Sequence, residues 1–164
     1  MDHPLLAKLT KLIEGDVAYD AATLEEYSHD ASLFEIRPQV VVFPKNEKDV
    51  QNLVKFVEEN KKEYPKLSLT VRSAGTDMGG GSINDSIIVS FTRYFNATPT
   101  IDDRTATTQP GVYYRDFEKV TTREGLLFPS YPASRGLCAM GGIVNNNSGG
   151  EKSLQYGKTE RYVS

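Results

Sequence analysis

The sequence predicts an α+β fold, a small mixed sheet with flanking helices, and three observations carry that prediction. Val40-Val41-Val42-Phe43 is a short apolar, mostly β-branched run between Pro38 and Pro44, which reads as a buried strand. Val50, Leu53, Val54 and Val57 then recur at helical spacing. Leu67, Leu69 and Val71 follow in alternation with polar residues, as in a half-buried strand. A strand–helix–strand unit closes by a right-handed crossover, which sets its two strands parallel in one sheet.

The elements follow in order. Leu5, Leu6, Leu9, Leu12 and Ile13 space a helix over residues 4–14, with Gly15 as its stop. Residues 23–29 predict a short second helix, capped by Thr23, with Leu24 and Tyr27 on one side. Asn46 is placed to cap the helix after the first strand, with Asp49 in its first turn. The polar run 58–63 ends that helix and Pro65 prevents its return. Ile87-Ile88-Val89-Ser90-Phe91 predicts another buried strand, and Ala106-Thr107-Thr108 a further one. Residues 113–124 read as a helix closed by Gly125, then a short apolar run from Leu126 to Phe128 ended by Pro129. From Tyr131 to Gly150 the composition turns to Gly, Asn and Ser. Arg161-Tyr162-Val163-Ser164 looks like the opening of one more strand.

Composition narrows the function. The 164 residues suit one domain or one and a fraction, and 38% hydrophobic with 25% charged residues is ordinary for a globular chain. A net charge of −3 lacks the basic footprint of nucleic-acid binding. One cysteine makes no intrachain disulfide, and Met1-Asp2-His3-Pro4 starts no secretory signal, so a reducing, cytoplasmic setting is expected. No apolar run reaches the roughly 18 residues of a membrane span. Membrane contact is therefore not indicated, and peripheral association of a longer parent stays open.

Two stretches carry chemistry. Val71-Arg72-Ser73-Ala74-Gly75-Thr76-Asp77-Met78-Gly79-Gly80-Gly81-Ser82 follows a strand directly and is rich in glycine. Such a loop can turn successive N–H groups inward to form an anion-binding concavity, unless it is only a flexible connection. It has no lysine in the nucleoside-triphosphatase loop pattern and no G-x-G-x-x-G opening a helix, which argues against both of those phosphate sites. The second stretch is Pro132-Ala133-Ser134 followed by Met140-Gly141-Gly142-Ile143-Val144-Asn145-Asn146-Asn147-Ser148-Gly149-Gly150. Its neutral amides and hydroxyls suit a polar heteroaromatic ligand better than acid–base work. Twenty such residues are otherwise a long surface loop, unusual in a compact domain.

Taken together, Phe43-Pro44-Lys45-Asn46-Glu47-Lys48-Asp49-Val50, the loop 72–82, Gln109-Pro110-Gly111-Val112, Pro132-Ala133-Ser134, Gly141-Gly142 through Ser148-Gly149, and Tyr156-Gly157-Lys158-Thr159 resemble the FAD-linked oxidases of the vanillyl-alcohol oxidase/p-cresol methylhydroxylase fold. Within it the chain is most similar to the glycolate oxidase and D-lactate dehydrogenase branch, to whose N-terminal segment Tyr27-Ser28-His29-Asp30-Ala31-Ser32 is also similar. Each motif is weak alone; their order along nearly the whole chain is specific.

The chain is expected to divide into an N-terminal helical segment, 1–36, and, as the resemblance implies, an FAD-binding domain over 37–164 that comprises a first subdomain and the incomplete start of a second. It implies that the FAD pyrophosphate lies on Ser73, Ala74, Gly75, Thr76, Asp77 and Met78 with Gly80 and Gly81, and Arg72 is a candidate electrostatic helper at the strand end. It implies that Pro132, Ala133, Ser134, Gly141, Gly142, Asn146, Asn147 and Gly149 run along the cofactor, with Tyr156 and Gly157 near its end. Members that link flavin through histidine carry it where this chain has Thr76, so non-covalent FAD is expected. Asp77 beside a diphosphate would be repelled, about 1 kcal/mol at 4 Å in water and several times more when partly buried, so its carboxylate is expected to turn back onto loop amides.

No residue stands out as a general base, and no metal set is expected, since His3 and His29 are isolated. Cys138 is expected to be a small buried residue. The resemblance implies a longer flavoenzyme that oxidises a small 2-hydroxy acid, with the substrate held by a cap domain beyond residue 164, an unidentified electron acceptor, and no turnover by these residues alone. Two alternatives stand: a flavoenzyme like UDP-N-acetylenolpyruvoylglucosamine reductase, and a non-enzymatic nucleotide-binding module.

Overall fold

A computed structural model describes residues 3–164, so Met1 and Asp2, the first positions of the expected N-terminal segment, lie outside the described residues. In chain order the elements are α1 (His3–Leu12), β1 (Asp16–Ala18), α2 (Ala21–Glu26), β2 (Val40–Phe43), α3 (Glu47–Asn60), β3 (Leu69–Arg72), β4 (Ile87–Ser90), β5 (Thr100–Asp102), β6 (Thr105–Thr107), α4 (Tyr114–Arg123), α5 (Met140–Asn145) and α6 (Ser153–Tyr156), closed by a 3₁₀ turn at Thr159–Arg161.

The two most apolar runs form the middle of a mixed sheet ordered β1-β2-β4-β3. β2 and β4 pair in parallel, Val40 opposite Ile87, and every residue in both is buried. β2 and β3 are parallel members of one sheet, as the crossover requires, but β4 is inserted between them. Burial explains the order. Ile87-Ile88-Val89 can be covered on both faces, whereas β3 carries Thr70 and Arg72 and exposes Val71, which suits an edge. β1 adds antiparallel to the other side, a strand too short to show in the sequence.

Helices cover both faces of the sheet. Leu5 and Leu9 of α1 and Leu53 and Phe56 of α3 pack on Val40, Val42, Ile87 and Val89. Val41, Phe43 and Ile88 face the other way, under Leu24 and Tyr27. Each such side chain contributes roughly 1.5–3 kcal/mol when fully buried. Asn46 caps α3 as expected, accepting from Asp49 N at 2.9 Å. The cap of α2 is Asp20 rather than Thr23: its carboxylate accepts from both the N–H and the hydroxyl of Thr23, which sits three positions into the helix.

A second core gathers Val112, Tyr114, Phe117, Tyr131, Cys138, Met140 and Ile143. The β5–β6 hairpin lies beside it, one strand more than the sequence predicted. Gly125 closes α4 at φ +70°. Instead of a terminal strand, the chain ends on the 3₁₀ turn. Thr159 is buried there and tied to Ser148 O by its N–H at 3.1 Å and its hydroxyl at 2.8 Å.

Candidate functional site

β3 delivers the chain into the loop 73–82, at the edge of the first core. Gly75 and Gly80 sit at φ +67° and +79°, a region L side chains rarely adopt. No backbone N–H from Ala74 to Gly80 finds an acceptor among the described residues. Ala74 to Asp77 are half-buried, Met78 and Gly79 exposed, and a consecutive run of such amides can cradle an anion. Asp77 turns back as its charge demands, its Oδ2 accepting from Gly81 N at 2.6 Å and its Oδ1 from Asn146 Nδ2 at 3.3 Å.

The second core supplies the facing wall. Ala139 to Ile143 approach the first loop through Pro110, whose carbonyl accepts from Ser73 Oγ at 3.1 Å and from Gly141 N at 2.9 Å. A Cβ at Gly141 would lie 2.6 Å from Ser73 Oγ and 2.8 Å from Pro110 Cβ, so only glycine fits. Between the walls lies a cleft of about 470 Å³, lined mainly by apolar atoms and amides. Its floor includes Phe91, Pro110, Ala139 and Ile143.

Of the residues singled out in the sequence, Arg72, Ser73, Ala74, Gly75, Thr76, Asp77, Met78 and Gly81 line one side of this cleft. Pro132, Ala133, Ser134, Gly141, Gly142 and Asn146 line the other. Five of them lie outside its lining. Gly80 is turned toward the Phe34 ring. Asn147, at φ 45°, holds the terminal turn, accepting from Glu160 N at 2.9 Å and donating to its carboxylate at 2.7 Å. Gly149 packs on Ser153 and Lys158, Gly157 on Arg161, and Tyr156 is exposed on α6. Asn147, Gly149, Tyr156 and Gly157 belong to the stitching between residues 147 and 162. The cleft also uses Phe91, Pro110, Cys138, Ala139 and Ile143. For Pro110 the Gln-Pro-Gly-Val motif was a usable signal; the others look like ordinary core residues in the sequence.

Charge in the cleft is sparse. Arg72 is the cation: its Nη1 donates to His29 O at 2.6 Å and its guanidinium lies 5.0 Å from the Tyr27 ring centre. Burial lowers its pKa from the usual arginine value, partly offset by Tyr27 and Asp30. Cys138 is buried as expected, and that burial pushes its thiol up, against a hydrogen bond with Ser134. His29 is less isolated than expected: Glu25, His29 and Glu35 bring one ligand atom each within 4.8 Å of one another. All three are exposed, and Glu25 also pairs with Arg37 at 3.0 Å, which makes this a surface ion cluster. Among the described residues no helix is long and apolar enough to cross a membrane.

Unpartnered amides and a glycine approach on one wall, with neutral polar groups and an apolar floor opposite, fit a diphosphate attached to a flat ring system. Comparison with known proteins agrees. The FAD binding domain family matches residues 38–164. D-2-hydroxyglutarate dehydrogenase of Haemophilus influenzae is 33% identical, over 92% of this chain and 15% of that protein. Glycolate oxidase subunit GlcD of Bacillus subtilis is 31% identical (84% and 29%), and D-lactate dehydrogenase of Archaeoglobus fulgidus 28% (95% and 34%). The chain thus spans between 15% and 34% of these relatives' lengths. Among solved structures, alkyldihydroxyacetonephosphate synthase superposes with TM-score 0.81 at 19% identity, over 98% of this chain and 32% of that one. p-Cresol methylhydroxylase superposes with TM-score 0.66 at 20% identity (83% and 27%), a likeness of fold. By the family match over residues 38–164, this chain belongs to the FAD binding domain family, and its fold is the one shared with p-cresol methylhydroxylase.

Proposed function

We propose that this chain is the FAD-binding part of a flavin-dependent oxidoreductase that oxidises a small 2-hydroxy acid of the D-lactate, glycolate or D-2-hydroxyglutarate kind. The observation that carries the reading is the run of open amides from Ala74 to Met78 on the wall of a cleft, in a chain that matches the FAD binding domain family. FAD held there would supply the electron sink for oxidising the hydroxyl-bearing carbon of the substrate to a 2-oxo acid. The chain's own residues bind and orient. Amides of the first loop meet the diphosphate, Arg72 adds a positive charge beside them, and the 132–146 wall borders the rest.

The cofactor is held without a covalent bond. Among the described residues no histidine lines the cleft, and Thr76, a weak nucleophile, stands at the loop position that the resemblance assigns to a linking histidine. Removal of the hydroxyl proton falls to groups outside this chain. Asp77 is committed to Gly81 N and Asn146, and the Cys138 thiol is kept protonated by burial. Substrate would be held by residues beyond these 164, with a separate electron acceptor and a cytoplasmic setting.

The test is a titration of FAD into the full chain, followed by the visible flavin spectrum. Saturable binding is expected, with all flavin released to the supernatant on acid precipitation. The chain alone should not reduce a dye with D-lactate, glycolate or D-2-hydroxyglutarate. Absence of saturable binding would sink the flavin reading, pellet-bound flavin the non-covalent one, and dye reduction the assignment of catalysis to other residues.

A further inference from the structure

The first loop is gripped from behind by a segment that precedes the matched domain. We propose that residues 27–34 are a brace that holds the open amides of the loop in their binding arrangement, with Arg72 as the positioning residue on which the brace acts. This inference deepens the flavin reading and rests on it.

Three separate ties make the brace. Arg72 donates to His29 O at 2.6 Å and lies against the Tyr27 ring. Tyr27 is itself fixed, its hydroxyl 3.0 Å from Ser90 Oγ and its ring edge-on to Phe43 at 5.7 Å. The Arg72 guanidinium fills the space under Gly75, where a Cβ would come within 2.4 Å of it. That leaves a planar cation under the loop, its position set by the brace rather than by the cleft. The second tie is Ser82 Oγ to Asp30 Oδ2 at 3.1 Å, with Asp30 Oδ1 also accepting from Ser32 N at 2.8 Å. The third is the Phe34 ring, whose Cδ2 would be 2.9 Å from a Cβ at Gly80.

The ties fall at positions 72, 75, 80 and 82, so they bracket the run of unpartnered amides from 74 to 80. A glycine-rich loop whose amides from 74 to 80 make no internal hydrogen bond loses much conformational entropy on becoming ordered. Contacts that prepay this cost raise affinity without touching the ligand. The brace itself is anchored, with Ile36 N donating to Ser28 O at 2.9 Å and Ser28 wholly buried.

The experiment compares the full chain with Asp30→Ala, Phe34→Ala and Arg72→Lys, and with the milder Ser82→Ala. FAD dissociation constants are read by flavin fluorescence, backbone order parameters by ¹⁵N relaxation without flavin, and Tm as a check on folding. Each brace variant should weaken FAD about tenfold and lower order parameters at 74–80 while leaving 139–146 unchanged. Unchanged order at 74–80 would overturn the brace, as would loosening of both walls together or loosening with no change in FAD affinity. If the unaltered chain binds no FAD, the flavin reading falls, and the relaxation data still decide whether the brace exists.

Discussion

Asp49 shows how much a single carboxylate can organise. It is buried, and its two oxygens accept from Glu14 N at 2.9 Å, Gly15 N at 3.0 Å and Lys45 N at 2.8 Å. The end of α1 is thereby fastened to the start of α3. Gly15 must be glycine for this to happen, since a Cβ there would fall 2.0 Å from Phe43 O. Replacing Asp49 by Ala would strand these amides, and urea denaturation should show a loss of roughly 2–4 kcal/mol in unfolding free energy. Asp49→Asn should lose less, because its side-chain carbonyl still accepts. From the sequence, Asp49 was legible only as a favourable charge in a helix's first turn. Its larger role depends on Glu14 and Gly15, more than 30 positions away, which no local pattern reveals. Asp77 was the opposite case: repulsion between a carboxylate and a diphosphate was enough to foresee its turn onto Gly81 N.

At the scale of elements, the buried strands, the longer helices and α2 declared themselves through apolar spacing, and β1, β5, α5 and α6 did not. α5 is the instructive miss. Met140-Gly141-Gly142-Ile143-Val144-Asn145 contains two glycines, each about 1 kcal/mol worse than alanine in a helix, and two β-branched residues. It is helical because Met140 and Ile143, three apart, bury in the second core, and because Met140 N and Gly141 N donate to Val112 O and Pro110 O. Tertiary contacts override propensity there. The same fact predicts the effect of Gly141→Ala. Alanine favours the helix, yet its Cβ would collide with Ser73 and Pro110. FAD affinity should fall at least tenfold, measured by fluorescence titration, while helical circular dichroism stays level. An unchanged affinity would mean that the two walls do not meet through this residue.

At the scale of the whole molecule, the cleft lies between a core built around the mixed sheet and a second one built around Tyr114. The sequence made both glycine-rich walls legible but not which of their residues turn inward. The stretch from Asn147 to Gly150 continues the Gly, Asn and Ser composition of the second wall, yet Asn147 serves to stitch the terminal turn. The N-terminal segment also does more than precede the domain. Leu5 and Leu9 cover one sheet face, β1 pairs with β2, and Leu24 and Tyr27 cover the other face. A chain beginning at residue 37 would bare both faces, so it should be recovered mostly insoluble, or bind a hydrophobic dye without a cooperative thermal transition; a soluble, cooperatively melting product would contradict this. The Pro110 carbonyl has a further consequence. One half of its joint, to Gly141 N, is made of peptide groups and survives any change of side chain at position 110. Mutational drift can therefore repaint the two walls, and with them ligand preference, while the gap between them keeps its width.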